Sequence, residues 1–203
     1  MKFILAKKLG MSQIFDEKGD VVPVTLVEAG PCFVTQIKSK DTKDGYASVQ
    51  IAFGKTKHIN RPKTGHLKKA GIENAKWIKE FRVEKPEFEL GAQIKADVFK
   101  EGDAVKVSGL TIGRGFTGVV KRHGFKGGPA SHGQKHSLRA PGSIGATFPE
   151  RVPKGRRMGG RYGGERVTVR NLKIAKVDVE NNIIAIKGAV PGKRGTLLEI
   201  QSI

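Results

Sequence analysis

The sequence predicts a mainly β protein: a small β-barrel interrupted by a long basic arm. Three observations carry this. Short β-branched or aromatic runs recur between Gly, Pro and Asp turns on both sides of the middle of the chain. From Gly113 to Arg166 both the helical and the strand periods of apolar residues vanish. That same stretch holds twelve Lys or Arg against only Glu150 and Glu165, and fourteen of its residues are glycine.

Phe3-Ile4-Leu5-Ala6 opens with a short apolar strand, and Met11 to Phe15 reads as a second. Asp16 to Asp20 is a polar turn. Val21 to Val27 is β-branched, with Pro23 marking an edge or bulge. After the Ala29-Gly30-Pro31 turn, Cys32 to Ile37 and Tyr46 to Phe53 read as strands around a charged turn at Lys40 to Gly45. Residues near 55–75 break the pattern and predict one short helix after Pro62, weakened by Gly65 and stopped by Gly71. Trp77 to Val83 is a strand, with Trp77 read as core because no second aromatic flanks it in a basic patch. Phe88 to Phe99 and Ala104 to Leu110 follow as strands, separated by a turn at Lys100 to Asp103. Beyond the arm, Val167 to Val169 resumes the alternation and Leu172 to Val179 continues it, and after a turn at Glu180 to Asn182 come strands at Ile183 to Lys187 and Thr196 to Ile200. Residues 1–112 thus supply the first part of the barrel, 113–165 the arm, and 166–203 the strands that complete it.

Composition narrows the partner. The formal net charge is +19 over 203 residues, of which the stretch 113–166 carries +10. Such an excess requires a polyanion or is tolerated as self-repulsion. No run of about 18 apolar residues and no basic amphipathic helix points to a membrane. The opening apolar run is too short for a signal peptide, and Cys32 stands alone, so the expectation is a cytoplasmic chain without disulfides or a cysteine metal cluster. The arm cannot bury enough apolar surface to offset its own ordering, so it is expected to order against RNA.

Gly113-Arg114-Gly115-Phe116-Thr117-Gly118 fits the dinucleotide pattern G-x-G-x-x-G, but glycine and cations follow where a helix is needed, and the next acidic residue is Glu150. The glycines instead suit close approach of backbone to backbone or phosphate. His123, His132 and His136 lie in the arm without Asp or Cys, so neither a metal site nor a catalytic triad is expected. The candidate RNA-binding residues are Arg114, Lys121, Arg122, His123, Lys126, His132, Lys135, His136, Arg139, Arg151, Lys154, Arg156, Arg157, Arg161 and Arg166. Lys supplies point charges to phosphate; Arg pairs bidentately and stacks on bases. A DNA-architectural protein and a nucleotide-dependent enzyme remain as alternatives.

Several longer motifs carry a family resemblance. Lys8-Leu9-Gly10-Met11-Ser12-Gln13-Ile14-Phe15, Phe99 to Asp103, Gly115 to His123, Ser131-His132-Gly133, Arg139 to Gly145, Val152 to Gly160 and Val167 to Leu172 occur in order along the chain. Together they resemble the bacterial form of the large-subunit ribosomal protein L-three family. The resemblance implies a translation-protein-type β-barrel with a small α/β insertion. It implies an arm over Gly113 to Glu165 that penetrates 23S-type rRNA toward the peptidyl-transferase region, with its innermost part around Gly145 to Lys154. It further implies a non-enzymatic role early in subunit assembly, no cofactor, no homo-oligomer, and neighbours of the L-fourteen and L-nineteen families. Some family members carry a methylated glutamine near the tip; Ala146 to Glu150 contains none.

Overall fold

The computed structural model describes residues 1–40, 44–84 and 88–203. About 40% of the described residues are strand and 8% helix, so the mainly β expectation holds. The chain divides into two compact units, Met1–Leu110 with Arg166–Ile203, and Thr111–Glu165.

The first unit contains β1 (Phe3–Phe15), β2 (Val21–Ala29), β3 (Cys32–Lys38), β4 (Ser48–Phe53), α1 (Arg61–Lys68), β5 (Trp77–Arg82), β6 (Gln93–Ile94) and β7 (Ala104–Leu110). In the second unit lie β8 (Phe116–Thr117), α2 (Val119–His123) and β9 (Gly160–Arg161), after which β10 (Arg166–Asp178), β11 (Ile183–Lys187) and β12 (Leu197–Ser202) return to the first. Six strands pair in the cyclic order β1-β12-β7-β10-β11-β2, and β2 pairs back onto β1. Every ladder is antiparallel. The register of β7 on β10 joins Leu110 to Arg166, so the chain leaves and re-enters this sheet at directly paired residues.

Three strand expectations need correction. Residues 3–15 form one strand rather than two, because a register shift between Lys8 and Gly10 lets β1 continue through a bulge. Asn171, at φ 58°, sits in a second bulge, and β10 runs through it from Arg166 to Asp178, as the continuing alternation suggests. The strands at 32–53 leave the barrel and form a separate sheet, β5-β4-β3-β6. Phe88 to Phe99 yields only the two-residue β6 and a 3-10 turn at Ala96–Val98, after a turn at Gly91 with φ 81°. The helix after Pro62 is present: Pro62 occupies the first turn, where a missing N–H costs nothing, and Leu67 is its buried residue. Of the turn expected at Lys40 to Gly45, residues 41–43 lie outside the described part of the chain.

One core serves both sheets. Phe3, Ile4, Leu5 and Ala6 are all at most 1% exposed, which requires cover on both faces of β1. On one side Phe3 stacks on Phe81 of β5 at 4.7 Å between ring centroids, with Phe88 edge-on at 5.4 Å. Val27, Val105, Val107, Ile184, Ile186, Leu198 and Ile200 extend the same cluster along β2, β7, β11 and β12. Trp77 stacks on Phe53 at 5.8 Å, with the Lys76 ammonium 4.4 Å from the Trp77 ring. Polar ties close the ends. Lys8 Nζ donates to the carbonyls of Val190 and Gly192, both at 2.8 Å, and Lys2 Nζ meets Asp103 at 2.7 Å.

Two outcomes follow from this packing. Leu5→Ala removes a fully buried side chain between paired strands and is expected to cost about 2–5 kcal/mol in urea unfolding. The Asp103 carboxyl is held below its usual range, first by the Lys2 ammonium and then by the Lys100 N–H. Its contribution to stability is therefore present above the ordinary Asp pKa of about 3.9 and lost as pH falls through the depressed folded value. Asp103→Asn should flatten the acid limb of melting temperature against pH, while an unchanged limb would show that the pair contributes nothing.

Candidate nucleic-acid interface

The unit Thr111–Glu165 is built with almost no core. Within it Thr117, Val119 and Gly163 are the buried residues. Backbone pairing provides the order instead. Thr111 N–H donates to the Glu165 carbonyl at 2.9 Å, Arg114 N–H to Tyr162 at 2.8 Å, and Tyr162 N–H to Gly115 at 3.0 Å. β8 then pairs with β9, Phe116 opposite Arg161 and Thr117 opposite Gly160. The outgoing and returning chains thus form a two-stranded ribbon from 111 to 117 and 160 to 165. Gly163, at φ 74°, is required there because a Cβ would collide with the Ile112 carbonyl.

The ribbon leads into α2, which the sequence argument against a dinucleotide site did not foresee. It is a single turn of five residues, started by Val119 against the small core and closed by Gly124 at φ 72°. Arg122 Nη1 donates to the Met158 carbonyl at 2.9 Å, and His123 Nε2 lies 3.0 Å from the same oxygen. These two predicted RNA-contacting residues are half-buried and brace the returning chain. Beyond α2, Gly128 N–H donates to Ser137 and Leu138 at 3.0 and 3.1 Å, and a Cβ at Gly128 would lie 2.7 Å from the Ser137 oxygen. Glycine here admits backbone against backbone. Nearer the middle of the unit, Arg156 Nη2 donates to the Ser143 carbonyl at 2.5 Å.

The remaining candidate RNA-binding side chains stand open. Arg114, Lys121, Lys126, His132, Lys135, His136, Arg139, Arg151, Lys154, Arg157 and Arg161 are exposed, as is Arg156 despite its bond to Ser143. Arg166 differs: it belongs to β10 in the other unit and its guanidinium pairs with Glu199, which Lys79 also meets at 3.5 Å. Within the unit Glu150 and Glu165 are the only acidic side chains. A field of exposed cations with so few counter-charges attracts phosphate, and the Arg forks add bidentate and stacking capacity. Sequence reasoning alone does not single out Phe116, a residue 83% exposed within this field; its only signal is an aromatic placed between Arg114 and Lys121. Among the described residues no three His, Cys, Asp or Glu side chains gather as a metal set, and no helix is long and apolar enough to cross a membrane.

Comparison with known proteins places this arrangement. The sequence profile of the family "Ribosomal protein L3" matches residues 49–180. The chain is 57% identical over 202 residues to a "Large ribosomal subunit protein uL3" of Prochlorococcus marinus strain NATL1A, covering 98% of this chain and 92% of the relative. It is 53% identical over 205 residues to the protein of that name from Thermosipho africanus strain TCF52B, covering 100% and 98%. A Synechococcus relative of the same name, strain CC9902, is 54% identical over 202 residues, covering 98% and 92%. With the match running through both units, the chain belongs to the ribosomal protein L3 family.

Proposed function

We propose that this protein is a structural, non-enzymatic constituent of the large ribosomal subunit in the cytoplasm, and that it binds 23S-type rRNA directly. The observation that carries the reading is the exposed cationic segment Thr111–Glu165, ordered by backbone bonds with only a minimal core, in a chain of this family. In this reading residues 113–165 are an rRNA-penetrating arm directed toward the peptidyl-transferase region. Residues 1–112 and 166–203 form a translation-protein-type β-barrel with a small helical insertion near 55–75. The exposed cations neutralise phosphates and fix RNA helices relative to one another, while Arg122 and His123 hold the arm's own shape through Met158. Binding belongs early in subunit assembly, since a segment without its own core is most easily accommodated before the RNA closes around it. Neighbours of the L-fourteen and L-nineteen families complete the surroundings.

Sedimentation of the tagged protein tests the assignment. Co-migration with large subunits through a high-salt wash is expected; migration near the top of the gradient, or with DNA, would overturn it.

The electrostatic part has its own test. With about ten phosphate contacts, log affinity for 23S-type rRNA should fall against log salt with a slope of about −7 to −9. Lys154 and Arg157 have no side-chain partner among the described residues, so changing both to Ala should flatten the slope by about one to two units without lowering the melting temperature. An unchanged slope would remove these two from the phosphate contacts.

A further inference from the structure

We propose that Phe116 is a stacking platform for one unpaired nucleobase of the rRNA, which would give the arm a contact that does not depend on charge. The inference rests on the RNA-binding reading above and adds to it a residue and a mode of recognition.

The ring's surroundings argue for this directly. Phe116 is 83% exposed, although it lies on β8 in a paired stretch of the ribbon. A Cβ on Gly159 would stand 3.4 Å from both Cε1 and Cζ of the ring, so the ring tip lies beside the bare Gly159 backbone. A Cβ at 159 would press on the Thr117 carbonyl, 3.2 Å away, and would meet the ring at ordinary van der Waals distance. With glycine at 159 no side chain stands between that backbone and the ring, and most of the residue's surface stays open. An aromatic side chain, with only two χ angles, loses little conformational freedom on binding a flat partner.

The charge around the ring selects the partner. Arg161 lies directly across the ladder, where paired side chains share a face with Cβ atoms about 5 Å apart. Arg114 is two residues before Phe116 and is exposed. An open aromatic with guanidinium groups beside it matches a nucleotide, base on the ring and phosphate on the cations. An apolar protein surface would have to desolvate those same guanidinium groups. A duplex would offer no free base face, so the ligand is a splayed or unpaired nucleotide.

Binding of the full-length chain to a 23S-type rRNA transcript, measured across a series of salt concentrations, tests the proposal. A stacked base contributes equally at every salt, whereas a phosphate contact fades as salt rises. Phe116→Ala should therefore weaken binding about 5- to 150-fold with the salt slope unchanged. Phe116→Trp should restore most of the affinity, and Phe116→Leu, apolar but without a π face, should not. The melting temperature of all three should match the parent, because the ring is exposed. Affinity of Phe116→Ala within about twofold of the parent would overturn the proposal, as would full rescue by Leu. A parent chain with no steep salt dependence would show, before any variant is made, that the RNA-binding reading has failed, and the stacking assignment would fall with it.

Discussion

The pairing of β7 with β10 is the constraint on which the rest depends. Leu110 and Arg166 are far apart in sequence and directly opposed in the ladder. That register completes the cyclic strand order and also brings together the two ends of the inserted unit, whose first bond runs from Thr111 to Glu165. The sheet therefore carries the entropic cost of closing a long loop, and the cost is offset by a core in which Val105, Val107, Leu198 and Ile200 are fully buried. The insert itself needs to supply little.

How little is visible in its chemistry. The globular unit is held by burial on both faces of β1 and by aromatic stacking between its two sheets. The insert is held by main-chain bonds, by glycines that let strands of backbone touch, and by Arg side chains that reach back to carbonyls at Met158 and Ser143. Cations spent on such internal bonds are constrained for outside contacts; cations without them are free to meet phosphate. The division between Arg122 and Arg157 is one of partner rather than residue type.

Much of this was legible in the sequence, and the limits have physical reasons. Loss of apolar periodicity together with dense positive charge marked the insert, because both effects act locally. The helix after Pro62 was readable from its first-turn proline and from Gly71, which turns the chain at φ 70° three residues past its end. Residues 3–15 were misread as two strands because a bulge interrupts alternation without interrupting pairing. Placing β3 and β4 in the barrel failed for another reason: alternation shows that a strand has a buried face but not which sheet supplies the cover. At the candidate interface, residue type identified the cations, whereas the internal duty of Arg122 and the ion pair of Arg166 required coordinates. The one-turn helix at Val119 escaped because five residues are too few to show a period.

A further consequence lies in how the barrel experiences the insert. To the ladder, everything between Leu110 and Arg166 is a hairpin connection whose ends are already pinned. Each doubling of such a connection costs only about 0.6 kcal/mol in closure entropy. The length of the insert is therefore nearly invisible to the fold that carries it. Selection can lengthen, shorten or re-sequence it for whatever surface it must meet, with the sheet as an unchanging handle.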